Sequence, residues 1–249
     1  MEQKDIVREI HHAFKFYHAL GVESVPIEVL EQLNSIVGKE KSSADIPIPD
    51  LPDSCPAPGD ETLKEKQLFE LRATIGDCHR CGLAAKRTHL VFGAGNPCAK
   101  VMFIGEGPGR DEDLQGQPFV GAAGELLTKI IMAMGLKRRE VYIANVVKCR
   151  PPGNRDPEPD EVETCIEFLK KQIEIIAPGV IIALGRVAAQ SIFETDEKIG
   201  SLRGKFRQFH GIPVMPTYHP AYLLRYPRAK ETVWKDVQQV MAMLGVKEK

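Results

Sequence analysis

Val101–Gly124, VMFIGEGPGRDEDLQGQPFVGAAG, is the stretch on which the fold turns. Val101–Ile104 is wholly apolar and short, the pattern of a strand buried on both faces. It stops abruptly in Gly-Glu-Gly-Pro-Gly, residues 105–109. Asp111, Glu112 and Asp113 follow, then a lone aromatic, Phe119, between Pro118 and further glycines. A strand ending in a glycine turn puts that turn at the carboxyl edge of a sheet, where open α/β proteins bind ligands. A dinucleotide fingerprint is a poor fit: the spacing is G-x-G-x-G, Pro108 lacks the N–H of a phosphate cradle, and the acids would repel an anion. The alternatives are a plain structural turn with a solvated acidic run, or the floor of a pocket. In the second, small residues admit a flat ligand, Phe119 offers a ring face and a carboxylate stands near.

Working outward, strand and helix patterns alternate. Residues 125–134 read as a helix closed by Gly135, and 141–147 (VYIANVV) as a second strand. Lys148–Pro159 is a Pro/Gly loop, and 160–177 a long helix opened by an Asp160/Glu163 box and ended by Pro178. A third strand at 180–184, a helix at 187–193, a fourth strand at 212–217 and a final helix at 230–244 complete the series. This alternation predicts α/β architecture, a central parallel sheet with helices on both faces. Three loops then share one sheet edge: GEGPG, KCRPPGNR (148–155) and YHPAYLLR (218–225). Together they bring a carboxylate, an aromatic face, an amide, an imidazole and arginines to one place, which is what a site requires.

Upstream, residues 1–38 carry two amphipathic patterns and predict a small helical extension; 39–61 form a Pro-rich linker with five prolines; 62–249 form the catalytic-looking domain. Residues 1–77 hold 8 Lys/Arg against 15 Asp/Glu, whereas 78–249 hold 25 against 19. The basic part suits a polyanionic partner, and the acidic extension suits a protein partner. The start is charged and has no signal-peptide core, and no apolar run approaches the roughly 20 residues of a membrane span. The expectation is a cytoplasmic monomer with no membrane partner.

Six cysteines in such a chain favour metal or redox chemistry over disulfides. Cys78 and Cys81 form a CxxC, Cys149 and Cys165 lie far downstream, and Cys55 and Cys98 fit no pattern. On spacing alone, zinc and an iron–sulfur cluster both remain open.

The segments GEGPG…ED…G-x-PFVG-x-AG (105–124), N-x-VKCRPP-x-NR (145–155) and HPAYLLR (219–225), with the four cysteines, resemble the family 4 uracil-DNA glycosylases, the iron–sulfur members of their superfamily. The likeness spans about residues 68–244. It implies a three-layer α/β/α fold that cleaves the N-glycosidic bond of deoxyuridine in single- or double-stranded DNA, beginning base-excision repair. Phe119 would stack on the flipped base. Asn145 would pair with O4 and N3–H of uracil, a pattern that cytosine reverses. His219 would face O2 and stabilise the departing anion. Glu106, Asp111, Glu112 and Asp113 are candidates for holding the water, with Glu112 favoured; Gly105, Glu106 and Gly107 would lie against uracil, largely through backbone. Leu223 and Leu224 would wedge into the gap or else pack in a core, while Arg225, Arg150 and Arg155 would meet phosphates. Cys78, Cys81, Cys149 and Cys165 would bind a 4Fe–4S cluster. Some relatives form a covalent adduct through a histidine in the loop after the second strand; this loop has none, so free uracil should be released. The competing reading is a non-catalytic iron–sulfur module that recognises uracil or single strands.

Overall fold

The computed structural model describes Cys55 and residues 57–245, so the extension predicted at 1–38 and most of the linker lie outside the described residues. The described chain runs through α1 (Asp60–Ile75), β1 (Ala94–Gly95), β2 (Val101–Gly105), α2 (Arg110–Gln115), α3 (Ala122–Ala133) and β3 (Tyr142–Asn145). It continues through α4 (Pro159–Ile176), β4 (Val180–Leu184), α5 (Arg186–Phe193), α6 (Ile199–Leu202), β5 (Arg207–Phe209), β6 (Ile212–Thr217), α7 (Pro220–Arg225) and α8 (Ala229–Met243). Sheet order is β1-β3-β2-β4-β6-β5. The four inner strands are parallel, as expected, and the two short edge strands are antiparallel to their neighbours. These edges went unread because two or three residues are too few to show a period.

The period-two alternation of β2 divides the core. Val101 and Phe103 pack against Leu127, Ile130 and Ile131 of α3 and Trp234 and Val237 of α8. Met102 and Ile104 face Leu169, Ile173 and Ile176 of α4 and Ala188, Ala189 and Ile192 of α5. Both faces of the sheet are therefore covered, which explains the unbroken apolar runs.

Three expectations are corrected. Helix α1 begins at Asp60, so the linker ends two residues before residue 61. The cap of α4 is the pair Glu158–Glu161, not Asp160/Glu163: Pro159 fits the first helical position and moves the start upstream, and the Glu158 N–H donates to Glu161 Oε2 at 2.7 Å. Cys55 and Cys98 are joined by a disulfide across 43 residues, a pairing that no spacing pattern in the sequence signals.

Candidate active site

Register brings the first two motifs together. Gly105 ends β2 directly beside Asn145 at the end of β3. A Cβ at position 105 would lie 2.4 Å from Asn145 Oδ1 and 2.6 Å from Phe119 Cζ. Only glycine leaves that space, so its identity is set by contact. Phe119 is buried and holds a left-handed backbone with φ 53. Such a residue costs on the order of 1 kcal/mol and persists where its surroundings over-determine it. Those surroundings are visible: Arg138 Nη2 donates to the Pro118 carbonyl at 2.6 Å, and Gly124 of α3 lies against the Phe119 backbone.

Asn145 is 2% exposed, and its Oδ1 is buried without a hydrogen-bond partner. Nearly all buried polar atoms are paired, so an orphan acceptor at a strand end marks a place kept for a donor. His219 stands opposite, its ring centroid 5.5 Å from that of Phe119. Pro220 at the first position of α7 holds the histidine extended as the helix cap. Its Nδ1 accepts from the Ala221 N–H at 3.1 Å, so in the neutral ring the proton sits on Nε2. Burial lowers its pKa to about 4, with Glu112 pulling upward and Arg225 downward, so the ring is neutral at pH 7.

The four candidate carboxylates separate. Glu112 caps α2: Oε2 accepts from Gly109 N–H at 3.1 Å, and Oε1 from Val120 and Gly121 N–H at 2.9 and 3.0 Å. Its oxygens thus hold the Phe119 loop. Asp113 is buried and accepts from Thr88 N–H at 2.8 Å, and Asp111 is exposed. Glu106 is partly buried, and among the described residues no hydrogen bond reaches its carboxylate. Burial, then Asp156, raises its pKa to about 7, against the pull of Arg186.

The other predicted residues also separate. Leu223 is fully buried in the core shared with Phe119, which removes it as a wedge; Leu224 is 48% exposed. The i, i+1 step turns neighbouring side chains of α7 to different faces, so only one of the pair can point outward. Arg155 grips Glu161 with both Nη atoms at 2.7 and 2.8 Å, so its fork secures the α4 cap and is withdrawn from phosphate. Arg150 Nε donates to Asn154 Oδ1 at 2.9 Å, and Arg225 is exposed. Tyr226, exposed beside Leu224 and stacked on Tyr222 at 4.6 Å, was not singled out in the sequence. Lys148 and Gln172, buried behind Asn145, were missed as well; a lysine flanked by Val146, Val147 and Cys149 was the available signal.

Cys78, Cys81, Cys149 and Cys165 line one pocket with Ile75, Phe168 and other largely apolar neighbours. Among the described residues, no group of three Cys, His, Asp or Glu side chains is disposed to hold a single metal ion. Arg80 Nη1, Arg87 Nη1 and the Lys148 N–H approach Cys78, Cys149 and Cys165 sulfurs at 3.2, 3.4 and 3.3 Å, as thiolates would require. Burial pushes the Cys165 thiol to about 11, with Cys149 and Cys81 adding to the rise. Four thiolates can coexist there only around positive charge. A separate groove of about 550 Å³ between α4 and α5 contains none of the pocket residues or cysteines.

The carboxyl edge of this α/β/α sheet gathers a buried amide with an unpaired oxygen, a ring face and a neutral imidazole, groups that suit one flat polar ring. Residues 92–238 match the family described as the uracil DNA glycosylase superfamily. The chain is 50% identical over 186 residues to a type-4 uracil-DNA glycosylase of Thermotoga maritima, covering 73% of this chain and 96% of that one. It is 44% identical over 191 residues to that of Archaeoglobus fulgidus, with 74% and 96% covered. For that of Saccharolobus solfataricus the figures are 46% over 182 residues, with 70% and 84% covered. The chain belongs to the uracil-DNA glycosylase superfamily, in its type-4 branch.

Proposed function

We propose that the protein is a uracil-DNA glycosylase that hydrolyses the N-glycosidic bond of deoxyuridine in DNA, releasing uracil and leaving an abasic site for base-excision repair. The observation that carries this is the buried, unpartnered Oδ1 of Asn145 between Gly105 and Phe119. The base leaves the stack at a cost of a few kcal/mol and lies on the Phe119 ring. Asn145 gives its N–H to O4 and accepts N3–H on Oδ1. Cytosine, with a donor at C4 and an acceptor at N3, would leave both atoms mismatched.

Water attacks C1′ as the C1′–N1 bond breaks. The bonding pair leaves with uracil, whose negative charge spreads onto O2. His219 Nε2–H donates there, a stabilisation worth about 3 kcal/mol by analogy with oxyanion donors. The neutral ring suits this role, since its donor is fixed by the Ala221 bond rather than by titration. The water's proton goes to Glu106, whose pKa near 7 is matched to a general base at neutral pH. This assignment replaces Glu112, whose oxygens are occupied by three backbone N–H groups. Leu224 fills the gap left by the base, and Arg225 and Arg150 meet the phosphates. Cys78, Cys81, Cys149 and Cys165 hold a 4Fe–4S cluster, which crosslinks the segment after α1 to the loop after β3 and to α4. The protein works in the cytoplasm as a monomer.

The test is base release from an oligonucleotide with one uracil. Free uracil and alkali-sensitive breaks are expected, without a covalent protein–DNA adduct. No release from iron-replete protein would contradict the reading and leave the binding module.

A further inference from the structure

Among the described residues nothing on the front of Asn145 fixes its amide before uracil arrives: no hydrogen bond to the side chain is found there, and Oδ1 is orphaned. Its aim must therefore come from the backbone behind it. Val146 N–H donates to the Gly105 carbonyl at 2.9 Å, so the Asn145 carbonyl, on the same peptide, points away from β2. On that side β1 pairs only with Tyr142 and Ile143, leaving the Asn145 carbonyl without a strand partner. Lys148 Nζ takes it at 2.8 Å.

Lys148 is 1% exposed, and no carboxylate among the described residues pairs with it. Its second acceptor is Gln172 Oε1 of α4 at 2.6 Å. Gln172, fully buried, gives Nε2 to the Phe92 carbonyl at 3.0 Å and the Tyr142 hydroxyl at 3.3 Å. The Lys148 N–H itself donates to Cys165 Sγ at 3.3 Å, and its carbonyl accepts from Val91 N–H at 2.8 Å. A buried ammonium among neutral acceptors is a costly way to fill space, and an apolar side chain of equal volume is often as stable or more so. Its geometry serves a purpose that packing alone would not need.

We propose that Lys148 is a positioning residue for uracil recognition: it holds the Asn145 carbonyl from behind and ties it, through Gln172 and Cys165, to α4. The inference rests on the glycosylase reading above. Asn145 keeps a vacant amide front because a buried hydrogen-bonded network anchors its back.

The test compares Lys148→Met and Gln172→Met with the unmodified, iron-replete protein. Three quantities are read: affinity for free uracil by equilibrium dialysis, affinity for uracil-free DNA, and iron per chain. Lys148→Met is expected to weaken free uracil at least 10-fold while DNA affinity and iron stay within 2-fold. Gln172→Met should weaken uracil at least 3-fold, and the double variant by less than the product of the two, since both act through one network. Unchanged uracil affinity in Lys148→Met would overturn the proposal, as would a parallel loss of uracil and DNA binding. If Lys148→Met does not fold, Gln172→Met decides alone: selective loss supports the proposal and unchanged affinity overturns it. Failure of the unmodified protein to release uracil would instead strike the glycosylase reading.

Discussion

The proposed chemistry rests on three side chains whose states are set by their immediate neighbours. Glu106, raised to about 7, should give excision a limb near pH 7, rising as the base deprotonates. Glu106→Gln should slow excision at least ~100-fold and abolish that limb, as read by single-turnover rates between pH 5.5 and 8.5. Stability responds with opposite signs at two residues. Glu106 binds its proton more tightly folded than its usual 4.5, so its contribution is lost as pH rises from about 4.5 through 7. His219, held near 4 against 6.5, refuses a proton that the unfolded chain takes, so its contribution is lost as pH falls from 6.5 towards 4. Denaturant midpoints of Glu106→Gln should therefore decline less between pH 5 and 7 than those of the unmodified protein. Phe119 and His219 were legible in the sequence because each stands beside a proline in a short motif, and Asn145 because it falls at the end of the second strand's apolar run. The division of labour among the acids was not: the fold brings three backbone N–H groups to Glu112 and, among the described residues, none to the Glu106 carboxylate.

At the scale of elements, α7 carries two adjacent leucines with opposite duties. Leu223→Ala removes a fully buried side chain and should cost about 2–5 kcal/mol in chemical denaturation. Leu224→Ala should leave stability within about 0.5 kcal/mol, yet slow excision from duplex more than from single strands, where there is no partner stack to fill. A 10-fold loss on both substrates alike would refute the wedge. The major strands and helices were readable because β2, β3, β4 and β6 are continuous apolar runs bounded by Gly, Pro or polar turns. The edge strands β1 and β5 were not, being too short to carry a period. The cap of α4 was misplaced by two residues because Pro159 and the Arg155 fork on Glu161, rather than the first acid pair in sequence, set the start.

Across the whole molecule, four cysteines from separate segments meet at one pocket, and a disulfide ties Cys55 to Cys98 near the start of the described chain. Cys149→Ala should lose iron and solubility together; full iron content in that variant would contradict the cluster. The CxxC and the two distant thiols were visible as a set in the sequence, whereas the Cys55–Cys98 pairing depends on a 5.4 Å Cα approach that only the fold creates. The central claim, that an orphaned amide oxygen reads uracil, is tested most directly by comparing free uracil with 3-methyluracil as inhibitors of excision. The methyl group removes the N3–H that Asn145 Oδ1 awaits and leaves ring size, O2 and O4 in place. Inhibition by uracil, with 3-methyluracil weaker by at least ~10-fold, is predicted from the cost of a buried unpaired acceptor, about 1–3 kcal/mol, and the added bulk. Equal inhibition by the two bases would contradict the account.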